Sequence, residues 1–226
     1  MRKLPLFLLL ALPALPLPAA EDLLMGSVVK SDRWKMDRAN DREIFDGNVS
    51  FRNPRYTLKA DNALYLRPAQ TWNMNGSVYM LRRFERGGQV EVNCDRAVYL
   101  ETLVEATLER GAQPVRLKYT GADGRLLRGL ANRSQAEYKK GMMTFTGAFS
   151  LSTENLDLYS EKGIYDNAEA TFLMYDSPPA AVGARQGYDF AIGAERIKFF
   201  KDSRDIKFYN RVSGWVKDAA GANGKK

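Results

Sequence analysis

Carboxylates and one thiol are the side chains best placed here for acid–base or nucleophilic work. The 226-residue chain holds 27 Asp and Glu, 34 Lys and Arg, a single cysteine (Cys94) and no histidine. Without histidine no Ser-His or Cys-His pair can activate a nucleophile, and most catalytic zinc sites lose their usual ligand. No G-x-S-x-G, G-x-G-x-x-G or Walker sequence occurs. A glycosidase-type carboxylate pair is compatible with the composition, but no spacing singles one out. The chain is therefore expected to be no enzyme and to hold no cofactor or metal. Cys94 has no partner for an intrachain disulfide and reads as a small buried residue.

Where the acids do follow a pattern, it is a turn pattern. A small residue followed by an acid or amide recurs as Ser31-Asp32, Ala60-Asp61, Cys94-Asp95, Ser134-Gln135, Ser160-Glu161 and Ala194-Glu195. The spacing, roughly 27 to 39 residues, is that of a repeat architecture. The small residue suits close backbone approach at a corner. The polar one is expected on the solvent side, bonding free backbone amides. Turn chemistry alone explains these residue types, without any function.

The elements that carry these turns are strands. Phe45, Gly47, Val49 and Phe51 alternate with Asp46, Asn48 and Ser50, the period of a strand with one apolar face. Arg42–Phe51 and Arg55–Leu66 read as strands joined at a turn containing Pro54. In the second strand the apolar face runs through Leu58 and Ala60, then resumes at Ala63 and Tyr65. That three-residue step would flip the face unless the chain bulges or turns a corner there. Similar strands follow to Val216, roughly a dozen in all, with the stretch from Asp176 to Gln186 reading as the longest irregular piece. Short strands with turn punctuation and no helical period predict one all-β domain over residues 21–216. Residues 217–226 read as a polar, disordered tail.

The start, Met1-Arg2-Lys3 followed by an apolar run to Leu17 and Pro18-Ala19-Ala20, is that of a secretory signal peptide over residues 1–20. The run is shorter than the ~20 residues of a spanning helix and holds three prolines. Removing it takes Arg2 and Lys3 and lowers the formal net charge from +7 to +5. A moderately basic exported protein suits an anionic lipid headgroup or phosphorylated glycolipid, and export argues against nucleic acid.

Strand parity puts Phe45, Val49, Leu58, Trp72, Met74, Val78, Val92, Leu108, Phe145, Phe149, Leu158, Phe172 and Ile192 on the inner face, with Phe51 and Met80 near a mouth. Two readings stand: a dry core, or an apolar groove for acyl chains.

The motifs Ile44-Phe45-Asp46-Gly47-Asn48-Val49 and Leu58-Lys59-Ala60-Asp61-Asn62-Ala63-Leu64-Tyr65, with the lead-in Ser31-Asp32, resemble the periplasmic lipopolysaccharide-transport proteins of the LptA/OstA type. The later copies are degenerate: Ala106 to Gly111 lacks a clean G-N-V, and Asp176-Ser177-Pro178 replaces it in the fifth. The resemblance implies a folded-over antiparallel β-jellyroll, or β-taco, that shields lipid A acyl chains in the periplasm. It also implies head-to-tail self-association through edge strands and contact with inner-membrane LptC-like and outer-membrane LptD-like proteins. The alternatives are a membrane-anchored LptC-like component of the same system, a structural β-repeat protein that binds no lipid, and a carbohydrate-active β-protein.

Overall fold

Each long strand of this protein is creased once, and the creases line up to fold one sheet over on itself. The computed structural model describes residues 28–85 and 87–218. The expected signal peptide and most of the expected tail lie outside the described residues. The described chain is all-β and antiparallel, eighteen strands in one hydrogen-bonded sheet. In chain order they are β1 (Val28–Lys30), β2 (Arg33–Asp37), β3 (Arg42–Arg52), β4 (Tyr56–Leu66), β5 (Thr71–Arg83), β6 (Gln89–Leu100), β7 (Glu105–Glu109), β8 (Val115–Thr120) and β9 (Leu126–Ala131). Then come β10 (Arg133–Glu137), β11 (Met142–Ser152), β12 (Leu156–Asp166), β13 (Thr171–Tyr175), β14 (Ala180–Arg185), β15 (Tyr188–Gly193), β16 (Arg196–Phe200), β17 (Ile206–Tyr209) and β18 (Ser213–Asp218).

The crease explains the odd step in the sequence. Register shifts interrupt the ladders between Asp46 and Val49, Lys59 and Asn62, Asn75 and Val78, and Thr146 and Phe149. Consecutive residues there adopt left-handed backbone: Gly47-Asn48, Gly76-Ser77 and Gly147-Ala148, then Asp176-Ser177 and Asn210-Arg211. Gly, and after it Asn and Asp, reach that region at least cost, which is why three of these pairs open on glycine and the other two on Asp176 and Asn210. Ala60 and Ala63 therefore both point inward, 5% and 3% exposed.

Two faces result. One runs β2, β3, β4, β5, β6, β7, β10, β11, β12, β13, β16, β17, using one half of each creased strand. The other runs β1, β3, β4, β5, β6, β8, β9, β11, β12, β14, β15, β18. The line of creases closes one side of the fold, and hairpin loops from both faces form the opposite rim. Among the described residues, β1 and β2 at one end and β17 and β18 at the other pair on one side only.

The structure also shows a duplication. β2, β3 and β4 recur as β10, β11 and β12 exactly one hundred residues later, at both strand ends. The aromatic pairs repeat in step: Tyr65 stacks on Trp72 at 4.5 Å between centroids, and Tyr165 lies on Phe172 at 4.7 Å. Each half has its own buried cluster, joined through Leu117 and Met143, which pack against both.

Three sequence expectations are corrected. The fourth corner lies at Ala131-Asn132, where the Asn132 backbone N–H donates to the Gly147 carbonyl at 2.8 Å and the Asn132 side chain covers Gly147, its Nδ2 2.5 Å from where a Cβ would stand; Ser134 and Gln135 sit inside β10. The stretch from Asp176 to Gln186 is not irregular throughout: Asp176-Ser177 makes the crease, and β14 follows two prolines that cannot donate to a ladder. Phe51 lies deep in the core rather than at a mouth, 2% exposed and edge-on to Trp72 at 4.8 Å.

Candidate functional site: the interior between the two faces

The creases position the interior, and the corner acids hold the creases. Asp32 accepts from the Asn48 amide at 2.8 Å, and Asp61 from the Ser77 hydroxyl at 3.2 Å. Asp95 accepts from the Gln113 backbone at 3.4 Å, and Glu161 from the Ala148 backbone at 3.2 Å. A Cβ on Gly47, Gly76 or Gly111 would lie 2.3 Å from the carboxylate facing it. Asp32 and Asp61 hold crease side chains, Asp95 and Glu161 hold backbone N–H groups, and these bonds lie on the solvent side, away from the interior.

Inside, the first half packs Phe45, Val49, Trp72, Met74, Val78, Val92 and Leu108 into one cluster, with Leu58 partly buried against it. The second half packs Phe145, Phe149, Leu158 and Phe172 into the other. Ile192 faces buried Ala181 across the ladder, but its other partner is Gly214 of end strand β18, and it is only half-buried. Contacts cross between faces: Phe45 and Phe51 meet edge-on at 6.2 Å, and Phe145 stacks on Phe149 at 4.5 Å. Cys94 is buried at its corner, and desolvation pushes its thiol up to about 12.

The interior is closed along most of its length. A cavity of about 30 Å³ lies in the first half, walled by Leu58, Met74, Val78, Met80, Leu108 and Tyr138 among others. That is room for about one or two water molecules. The Arg82 guanidinium covers the adjoining rim, 5.4 Å from the Tyr56 ring centre and 5.3 Å from that of Phe84. The second half opens wider: about 230 Å³ at the rim, floored by Leu126, Leu156, Phe190, Phe199 and Ile206 and edged by Arg125, Arg185 and Arg204.

Among solved structures the chain is similar to LptH, the LptA homologous periplasmic component of the conserved lipopolysaccharide transport device from Pseudomonas aeruginosa. The identity is 8% and the TM-score 0.32, with 87% of this chain and 98% of that chain covered. No family model and no curated protein matches the sequence.

Strand parity found the inner-face residues because alternation is local. It missed the rim arginines: Arg125 and Arg204 lie in hairpin loops with no periodic signal, and Arg185 is the last residue of β14. The one available cue was that Arg125, Arg185 and Arg204 each neighbour a turn.

Proposed function

We propose that this protein is a periplasmic lipopolysaccharide carrier of the LptA/OstA type. It shields lipid A acyl chains between its two sheet faces and bridges inner-membrane LptC-like and outer-membrane LptD-like proteins. The observation that carries this reading is an apolar interior running through both halves of a sheet folded along one line of creases, its two clusters joined by Leu117 and Met143 and, among the described residues, opening at the rim near Arg204. The sequence signatures at residues 44–49 and 58–65 support the same family.

Acyl chains leaving water gain about 0.8 kcal/mol per CH₂, so a multi-chain lipid needs continuous shielding. An interior that replaces membrane by protein nearly cancels that term. Directional flow then requires an energy source elsewhere in the assembly. Because the interior is packed here, chains would enter by parting the faces at the rim. The edges β1, β2, β17 and β18, each paired on one side only among the described residues, offer backbone groups for strand addition, the physical basis of end-to-end stacking. The anchored LptC-like alternative turns on residues 1–27, outside the described residues.

The competing reading is a dry structural repeat protein. Leu158, Met174, Ile197 and Phe199 at 0% exposure favour it. Photo-crosslinking separates the two. A photoreactive residue replaces Leu58, which lines the first-half cavity, in a lipopolysaccharide-producing Gram-negative cell, with outward-facing Asp46 as control. Lipopolysaccharide adducts at position 58 and not 46 are expected. No adduct at 58, in a protein with native circular dichroism, would leave the dry-core reading standing.

A further inference from the structure

The duplication supplies an internal control for the rim, because equivalent positions can be compared within one chain. Val104 and Arg204 both end a hairpin turn in left-handed backbone, at φ 56° and 62°. Val104 is 7% exposed and plugs the first-half core. Arg204 instead holds its guanidinium 5.9 Å from the Phe199 ring centre. One of its terminal nitrogens, Nη1, is buried with no hydrogen-bond partner among the described residues; Nη2 donates to the Leu126 carbonyl at 3.3 Å. Burial, and then the neighbouring Arg125 charge, work against its cation. The same turn shows a second reversal. Glu101 in the first half accepts from the Tyr65 hydroxyl at 2.9 Å and the Trp72 indole at 2.7 Å. Its counterpart Lys201 lies 4.7 Å from the Tyr119 ring centre.

A buried cationic donor left unpaired costs more than an apolar residue in the same place. Val104 shows that the fold accepts the apolar alternative. The cavity in front of Arg204 is lined by two more arginines. Arg125 donates to the Asp202 carbonyl at 3.2 Å and pairs with Asp123 at 2.5 Å. Arg185 pairs with Asp205 at 3.1 Å and donates to the Arg204 carbonyl at 3.4 Å. Glu154 is the one acid in the lining. Behind the charges lies an apolar floor.

We infer that this cavity binds the phosphoryl headgroup of an amphiphile at Arg204, with Arg125 and Arg185 beside it and the alkyl chain on the floor of Leu126, Leu156, Phe190, Phe199 and Ile206. The inference deepens the lipid-carrier reading and rests on it. These three arginines also tie the β8–β9 hairpin and the end of β14 on one face to the β16–β17 turn, which carries Arg204, on the other. An anion that draws Arg204 off the Leu126 carbonyl and Arg125 off the Asp202 carbonyl loosens the rim where a chain must enter. Headgroup capture and rim opening are thereby coupled in this half, while the first-half rim stays closed by Val104 and Arg82.

Titration calorimetry on the full chain tests this with dodecyl phosphate, dodecyl maltoside (each below its micelle concentration) and inorganic phosphate. Wild type is expected to bind dodecyl phosphate about tenfold more tightly than dodecyl maltoside, the size of a charge-assisted hydrogen bond. Arg204→Val, which installs the first half's own residue, and Arg204→Gln are expected to bring that ratio close to one without weakening dodecyl maltoside binding. An unchanged ratio in either variant with native circular dichroism, or no preference in wild type, overturns the headgroup site and leaves the lipid reading intact. Inorganic phosphate binding as tightly as dodecyl phosphate would make it a free-anion site and overturn the amphiphile. Failure of wild type to bind either amphiphile would remove the lipid reading and this inference together.

Discussion

At Gly47 two demands meet in one residue. Its φ is +73°, and a Cβ there would lie 2.3 Å from Asp32 Oδ2 and 3.1 Å from the Asp32 Cβ. Gly47→Ala is expected to lower stability by roughly 1–3 kcal/mol in urea unfolding. Gly187→Ala carries the backbone term alone, since φ is +84° with nothing within 4 Å, and is expected to lose only about 1 kcal/mol. Equal losses would remove the role assigned to the Asp32 clamp. Cys94 gives a second prediction at this scale. Burial raises its thiol from 9.0 to about 12, and desolvation raises the Tyr138 hydroxyl from 10.0 to about 12. Both groups ionise more readily unfolded, so their contribution is whole below pH 9 and is lost as pH climbs from about 9 towards 12. The urea midpoint should fall over that window, and the native thiol should resist a disulfide reagent at pH 8 until the chain unfolds. Rapid native labelling would show that Cys94 is not sealed at its corner.

Between β11 and β12 the second half solves the same packing problem with different side chains. Val49 and Ala63 of the first half become Phe149 and Gly163. A Cβ on Gly163 would stand 2.2 Å from Phe149 Cε1. The larger ring occupies the space the missing methyl leaves, a volume exchange across facing strands. Gly163→Ala should cost roughly 1–3 kcal/mol by overpacking. Phe149→Val on its own should cost a similar amount by leaving a cavity. The double variant restores the first half's pair, so its loss should fall short of the sum by about 1 kcal/mol or more in a double-mutant cycle. Additive losses would mean that the two positions do not share one space.

For the molecule as a whole, the joint between halves suggests how copies would meet. β7 pairs with β10, placing Leu108 opposite Ser134, and β8 pairs with β9, placing Leu117 opposite Gly129. Phe208 and Trp34 stand at the equivalents of Leu108 and Ser134, on strands β17 and β2 that each lack an outer partner among the described residues. Trp34 is 56% exposed, as are Trp215 at 50% and Val28 at 62% on the companion edges. If stacking repeats the internal joint, Phe208 of one copy faces Trp34 of the next. Trp34→Cys mixed with Phe208→Cys under mild oxidation should give a cross-linked dimer, because facing residues bring Cβ atoms within disulfide reach. Trp34→Cys mixed with Lys207→Cys should not, since Lys207 points to the opposite side of the strand. Equal yields from both mixtures would rule out this register.

Alternation along a strand is written residue by residue, so the strand at 42–52, its neighbour at 56–66 and the inward set from Phe45 to Phe172 were legible from sequence. So was the need for a crease between Ala60 and Ala63, because a three-residue step cannot keep one face buried in a straight strand. Which polar residue serves which crease was not always legible: Ser134-Gln135 has the right types, yet Asn132 does the work, because only strand pairing decides which residue meets Gly147. The duplication was hidden for a related reason. Packing conserves the volume shared by facing strands rather than the residue at either position, so Val49 with Ala63 and Phe149 with Gly163 look unrelated until the strands are paired. The closed interior, the open basic rim at Arg204 and the unpaired ends depend on which distant segments meet. That is a property of the folded sheet, and local periodicity carries no record of it.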